Sequence, residues 1–140
     1  MSGEFVDTNV IVYAHDTSAG DKRRRAGELI IRLGRSRSGL LSVQVLMELV
    51  ATLNRKIRKT VPLNTVAEIV DDLATWRVHE PTAGDVSAAV RIAQRYTIST
   101  SDAMVVHAAA SLGAEVLWTE DLNHGQIYEG VPVRNPFRED

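Results

Sequence analysis

Apolar residues along this chain fall into short runs separated by stretches in which they recur every three or four positions. The short runs predict strands at Glu4-Phe5-Val6, Gly39-Leu40-Leu41, Trp76-Arg77-Val78 and Glu115-Val116-Leu117-Trp118, with Val131-Pro132-Val133-Arg134 as a fifth. The recurring stretches predict helices. Asp7-Thr8-Asn9 offers cap chemistry for a helix through Val10–Ala14. Asp21 caps the next, to about Leu33, with Ala26, Leu29, Ile30 and Leu33 inward. Ser42 caps a helix to about Ile57, and its apolar stripe reads Val43, Leu46, Val50, Leu53 and Ile57. Pro62 opens another to about Ala74, burying Val66, Ile69, Val70 and Leu73. Thr82 or Asp85 begins a helix to about Tyr96, with Val86, Ala89, Val90 and Ala93 inward. Ser99-Thr100-Ser101 caps a last helix over Asp102–Leu112, which Gly113 ends. Strand and helix alternate, so the fold class is α/β: one domain over residues 1–140, with a central parallel sheet of about four to five short strands flanked by helices. In such sheets ligands bind at the carboxyl ends of the strands.

Composition narrows the class. With 44% hydrophobic and 24% charged residues, the chain is neither disordered nor collagen-like nor a coiled coil. No apolar run approaches the roughly 18–20 residues of a membrane span. The N-terminus has no basic segment followed by an apolar one, so no signal peptide is expected. There is no cysteine, which excludes disulfides, iron–sulfur clusters and thiolate zinc sites. A cytoplasmic protein fits this profile. The net charge of −2 hides an asymmetry: residues 21–59 carry eleven Lys or Arg against three acids, and the remainder five Arg against fifteen acids. A basic block beside an acidic remainder suits binding of a charged partner, although two solvated helix faces would read the same way.

Candidate chemistry emerges by elimination. There is no glycine-rich phosphate loop, no G-x-S-x-G elbow and no H-E-x-x-H, and the four histidines have no metal-ligand spacing. Carboxylates remain. Asp7 directly follows the first strand, and Asp121 lies three residues beyond Trp118. Asp102 opens a helix that leads into a strand. Parallel strands place all three on one sheet edge. Glu48 lies about 180° from the middle of its helix's expected apolar stripe, so it joins them only if that face lines a cleft. Each carboxylate alone also reads as a cap or a turn residue. Together they would repel, and a hard divalent cation such as Mg²⁺ or Mn²⁺ relieves that repulsion. Such a site activates water and clamps a phosphodiester. Thr8, Asn9, Thr119 and Asn123 could support the ligands by hydrogen bonds.

Phe5-Val6-Asp7-Thr8-Asn9-Val10 resembles the first motif of PIN-domain nucleases, and Glu48 in Ser42-Val43-Gln44-Val45-Leu46-Met47-Glu48 the second. Ser101-Asp102-Ala103-Met104 is similar to the third motif and Thr119-Glu120-Asp121-Leu122 to the fourth. The order holds from Phe5 to about Phe137, and Tyr13-Ala14-His15-Asp16 and Asp121-Leu122-Asn123-His124-Gly125 look like the VapC toxin branch. Many relatives carry an aromatic before the third-motif aspartate, where this chain has Ser101.

The resemblance implies a Mg²⁺-dependent endoribonuclease, with Mn²⁺ as a substitute. Asp7 and Asp102 would bind metal directly. Glu48 would bind metal or orient the attacking water, and Asp121 would complete the pocket through water or at a second metal. Thr119 would hydrogen-bond to the ligands. Hydrolysis would leave 5′-phosphate and 3′-hydroxyl ends on RNA. The partners implied are the RNA, a VapB-like antitoxin and a second copy of the chain in a homodimer, with no membrane. Arg23, Arg24, Arg25, Arg55 and Lys56 would contact RNA backbone or antitoxin. Other readings are a PIN-domain nuclease for RNA processing without an antitoxin, a receiver-like module and a silent binding module. Lysine occurs only at Lys22, Lys56 and Lys59, so the late lysine of a receiver is missing.

Overall fold

The computed structural model describes residues 2–56 and 61–138, the side chain of Lys56 excepted. Its elements run β1 (Glu4–Val6), α1 (Thr8–Ala14), α2 (Asp21–Ser36), β2 (Gly39–Ser42), α3 (Val43–Lys56), α4 (Leu63–Leu73), β3 (Arg77–His79), α5 (Ala83–Tyr96), α6 (Thr100–Ser111), β4 (Val116–Trp118), β5 (Ile127–Tyr128) and β6 (Val131–Arg134). The sheet order is β3-β2-β1-β4-β6-β5. Every pairing is parallel except the β5–β6 hairpin. The chain adds β2 and β3 to one side of β1, then crosses to add β4 on the other. The strand order therefore reverses between β1 and β4, which is where an open α/β sheet forms its ligand crevice.

Among the described residues no helix is long and apolar enough to cross a membrane. The core is continuous through the sheet, with Phe5, Val6, Leu41, Leu117 and Val133 all fully buried. α6 is buried on most of its circumference, through Ala103, Val105, Val106, Ala108 and Ala109. Small side chains let it lie close to the sheet and to α5, against which it packs.

The structure departs from the sequence pattern at several places, each with a local cause. The expected Ile57 terminus of α3 lies outside the described residues, as do Arg58 and Lys59. Gly20, not Asp21, caps α2, because the chain turns there with a positive φ of 62°. Asp21 is the first helical residue, and its carboxylate pairs with Arg24 and Arg25. Among the described residues the sheet has six strands, one more than the upper expectation of five. The additional β5 is two residues long and joins β6 through Glu129 and Gly130, at φ 49° and 82°. Two positive φ values fit a tight hairpin, but Glu-Gly is a weak sequence signal for one.

The buried face of α3 is rotated from the expected stripe. Val45, Leu49 and Leu53 are fully buried, whereas Val43 and Val50 are exposed. α5 differs similarly: Val86 and Val90 are each 52% exposed, and Ala89 and Ile92 face the core. The contact of α5 with the alanine-rich α6 takes the Ala89–Ile92 side and leaves both valines on the outer face.

Candidate metal centre at the β1–β4 crevice

Asp7 caps α1 immediately after β1, with its backbone extended and its Oδ1 accepting from the Thr8 backbone N–H at 2.7 Å. Its own N–H continues the sheet by donating to Trp118 O at 3.0 Å. These bonds hold the carboxylate over the crevice, only 5% exposed. From the adjacent strand, Thr119 Oγ1 donates to Asp7 Oδ2 at 2.8 Å and accepts from the Asp121 N–H at 3.1 Å. Asn9, the second residue of α1, donates from Nδ2 to Asp121 Oδ2 at 2.9 Å and lies 3.3 Å from Asp7 Oδ2. Asn9 and Thr119 thus tie the β1 and β4 ends together, and Thr8 ties the start of α1 to α3 through Glu48.

Asp102 arrives from the other direction. It is the third residue of α6, and its N–H donates to the capping Ser99 Oγ at 3.0 Å. Carboxylate oxygens of Asp7, Asp102 and Asp121 lie within 4.8 Å of one another. Burial, aided by the charges of Asp121 and Asp102, pushes the Asp7 carboxyl up to about 7, against the hydrogen bonds from Thr119 and Thr8. Asp102 is also raised, first by burial and then by Asp121 and Glu48. A set of hard oxygen donors that destabilise one another when ionised fits a hard divalent cation. Asp7, Asp102 and Asp121 would hold it.

Glu48 stands beside this trio without belonging to it. The rotation of α3 brings Glu48 from the far side of the helix to the rim of the buried face. There Thr8 Oγ1 donates to its Oε2 at 3.3 Å, and Gln44 Nε2 and Ser101 Oγ donate to its Oε1 at 2.9 and 3.1 Å. Neither Gln44 nor Ser101 was expected here as a site residue. The spacing of Gln44 four residues before Glu48 on one helix was the available signal. Asn123 does not support the aspartates; its side chain donates to Gln126 Oε1 at 2.8 Å.

A cleft of about 380 Å³ opens beside Asp121, lined by Thr8, Asn9, Tyr13, Thr52 and Glu120 among others. Glu120 accepts from Tyr13 Oη at 2.6 Å and from Lys22 Nζ at 2.9 Å. Lys22 also lies over the Tyr13 and Phe137 rings, 4.7 and 5.2 Å from their centroids. The start of the basic block therefore abuts the loop that carries Asp121. Of the basic residues named above, Arg24 pairs with Asp21 and Glu28, and Arg25 with Asp21. Arg23 and Arg55 are exposed, and the Lys56 side chain lies outside the described residues.

The PIN domain family profile matches residues 5–130. A comparison with curated proteins finds no match. Among solved structures, the chain is similar to Mycobacterium tuberculosis VapC20, a sarcin–ricin loop cleaving toxin, at 20% identity and a TM-score of 0.63 over 82% of this chain and 87% of that one. It is similar to the DNA-bound VapBC of Salmonella typhimurium at 18% identity and a TM-score of 0.66, covering 97% and 99% of the two chains. It is also similar to a toxin–antitoxin complex from Klebsiella pneumoniae, at 18% identity and a TM-score of 0.67 over 98% and 100%.

Proposed function

The chain belongs to the PIN-domain family, and we propose that it is a divalent-metal-dependent endoribonuclease, the toxin of a VapBC-like toxin–antitoxin pair. The observation that carries this reading is the convergence of Asp7, Asp102 and Asp121 oxygens within 4.8 Å at the point where the strand order reverses. Similarity in fold to VapC20 and to VapBC complexes supports the toxin assignment.

Asp7, Asp102 and Asp121 hold Mg²⁺, or Mn²⁺ in its place. The bound ion supplies charge neutralisation at the phosphate and a lowered pKa for water. The residues of the chain do the rest. Thr119 and Asn9 fix the Asp7 and Asp121 carboxylates, so little reorganisation is needed when RNA enters. Glu48, outside the ligand trio, orients the attacking water and takes its proton. Arg23 and Arg55, both exposed, contact the RNA backbone and position it without reading its sequence. Hydrolysis leaves 5′-phosphate and 3′-hydroxyl ends. A VapB-like antitoxin and a second copy of the chain are the protein partners, and the cytoplasm is where this reaction takes place.

Induced expression in a bacterial host tests the toxin assignment. Wild type arrests growth, Asp121→Asn does not, and co-expression of a short open reading frame adjoining the gene restores growth. Wild-type expression without any effect on growth or on RNA integrity contradicts it.

A further inference from the structure

We propose that Gln44 and Ser101 are positioning residues that clamp the Glu48 carboxylate beside the metal ligands. This rests on the hydrolytic reading of the same site. Glu48 is bracketed by the neighbours of two ligand aspartates: Thr8 follows Asp7, and Ser101 precedes Asp102. Gln44 closes the bracket. Its Nε2 lies 2.9 Å from Glu48 Oε1, 3.2 Å from Ser101 O and 3.3 Å from Ser101 Oγ. Three acceptors around one amide nitrogen fix which way the amide faces.

The other end of that amide is buried at a cost. Gln44 Oε1 is buried without a hydrogen-bond partner among the described residues. A buried, unpaired acceptor is unfavourable, and an apolar residue of the same shape would avoid it. What the amide contributes in return is its N–H service to Glu48 and Ser101. Glu48 needs such service because its oxygens lie outside the mutually close aspartate cluster. No metal contact is then required to orient it. Left unheld, a glutamate with three rotatable bonds on a half-exposed helix face samples many rotamers. The departure from the family pattern at residue 101 thus has a structural use: the hydroxyl joins α6 to α3 through the carboxylate between them.

The test uses the full chain, with Ser101→Ala, Gln44→Met and Ser101→Thr compared with wild type. Single-turnover RNA cleavage falls roughly tenfold or more in Ser101→Ala and in Gln44→Met, with little change in the RNA concentration at half-maximal rate. Mn²⁺ affinity, read by electron paramagnetic resonance without RNA, stays within about threefold of wild type, because the aspartates remain. Ser101→Thr recovers most of the rate. A second readout needs no reaction: a double-mutant cycle of Ser101→Ala with Glu48→Gln on the unfolding equilibrium, in which the two changes are non-additive. Additivity, or wild-type cleavage in both single variants, overturns the clamp while leaving the nuclease reading intact. A wild-type protein that cleaves no RNA despite a coupled cycle fails the nuclease reading, and the positioning role falls with it.

Discussion

The Thr119 hydroxyl donates to Asp7 Oδ2 at 2.8 Å, joining the carboxyl ends of two neighbouring parallel strands. Thr119 is fully buried, so its single proton is committed to this bond while its lone pairs accept from Asp121 N and Asn9 Nδ2. Thr119→Val keeps the shape and removes all three contacts. It leaves a buried carboxylate short of a donor, which costs about 1–3 kcal/mol. Chemical denaturation at pH 8 shows that loss in Thr119→Val and a much smaller one in Thr119→Ser.

Asp7 makes the metal-free protein pH-sensitive in a direction that can be worked out. Burial raises its carboxyl from 3.8 to about 7 in the fold, so between those values the folded state binds more protons than the unfolded chain. Stability from this group is complete below about pH 4 and is lost as pH rises through about 7. In EDTA at pH 8, Asp7→Asn therefore melts above wild type by about 3–5 °C, the shift that roughly 1 kcal/mol makes in a domain of this size. Near pH 4 the two melt together. Mg²⁺ stabilises wild type at pH 8 and leaves Asp7→Asn unchanged.

Electrostatics separates the arginines of α2. Arg24 pairs with Asp21 and Glu28 and Arg25 with Asp21, whereas the exposed Arg23 has no ion pair among the described residues. Arg23→Glu weakens RNA binding and lowers the salt slope by about one to two, and Arg24→Glu has the smaller effect. Fluorescence anisotropy of a labelled RNA against salt concentration measures both slopes.

Gly39 makes room for the Trp76 ring at the start of β2. A methyl group there would run into the six-membered ring of Trp76. Gly39 pairs with Glu4 at the start of β1, the strand that delivers Asp7. Gly39→Ala forces Trp76 or the strand to move and costs about 1–3 kcal/mol. Thermal melts check this, and Gly27→Ala, where a methyl meets open space, serves as the control.

Much of this arrangement is legible in the sequence, for physical reasons. Phe5-Val6 followed by Asp7 reads as strand then cap, because a buried strand and a capping carboxylate each have a strong local signature. Parallel topology then carries Asp7, Asp102 and Asp121 to one edge. Glu48 is less legible. Val43, Val50 and Val45 are equally apolar, and only the packing of α3 decides that Val45 and Leu49 turn inward and bring Glu48 to the crevice rim. The Gln44–Ser101 contact is invisible for a similar reason: it crosses from α3 to α6, and a separation of 57 residues leaves no periodic trace. β5 escapes because two residues are too few to show alternation.

If Asp7, Asp102 and Asp121 hold a metal that makes this chain an RNA hydrolase, removing either the metal or one ligand abolishes cleavage. The most direct measurement is cleavage of total bacterial RNA by purified wild type and Asp102→Asn, in Mg²⁺ and in EDTA, with the ends mapped. Discrete cuts bearing 5′-phosphates are expected from wild type in Mg²⁺, and none in EDTA or from Asp102→Asn. Cuts that persist in EDTA, or that Asp102→Asn makes at the wild-type rate, contradict the metal assignment.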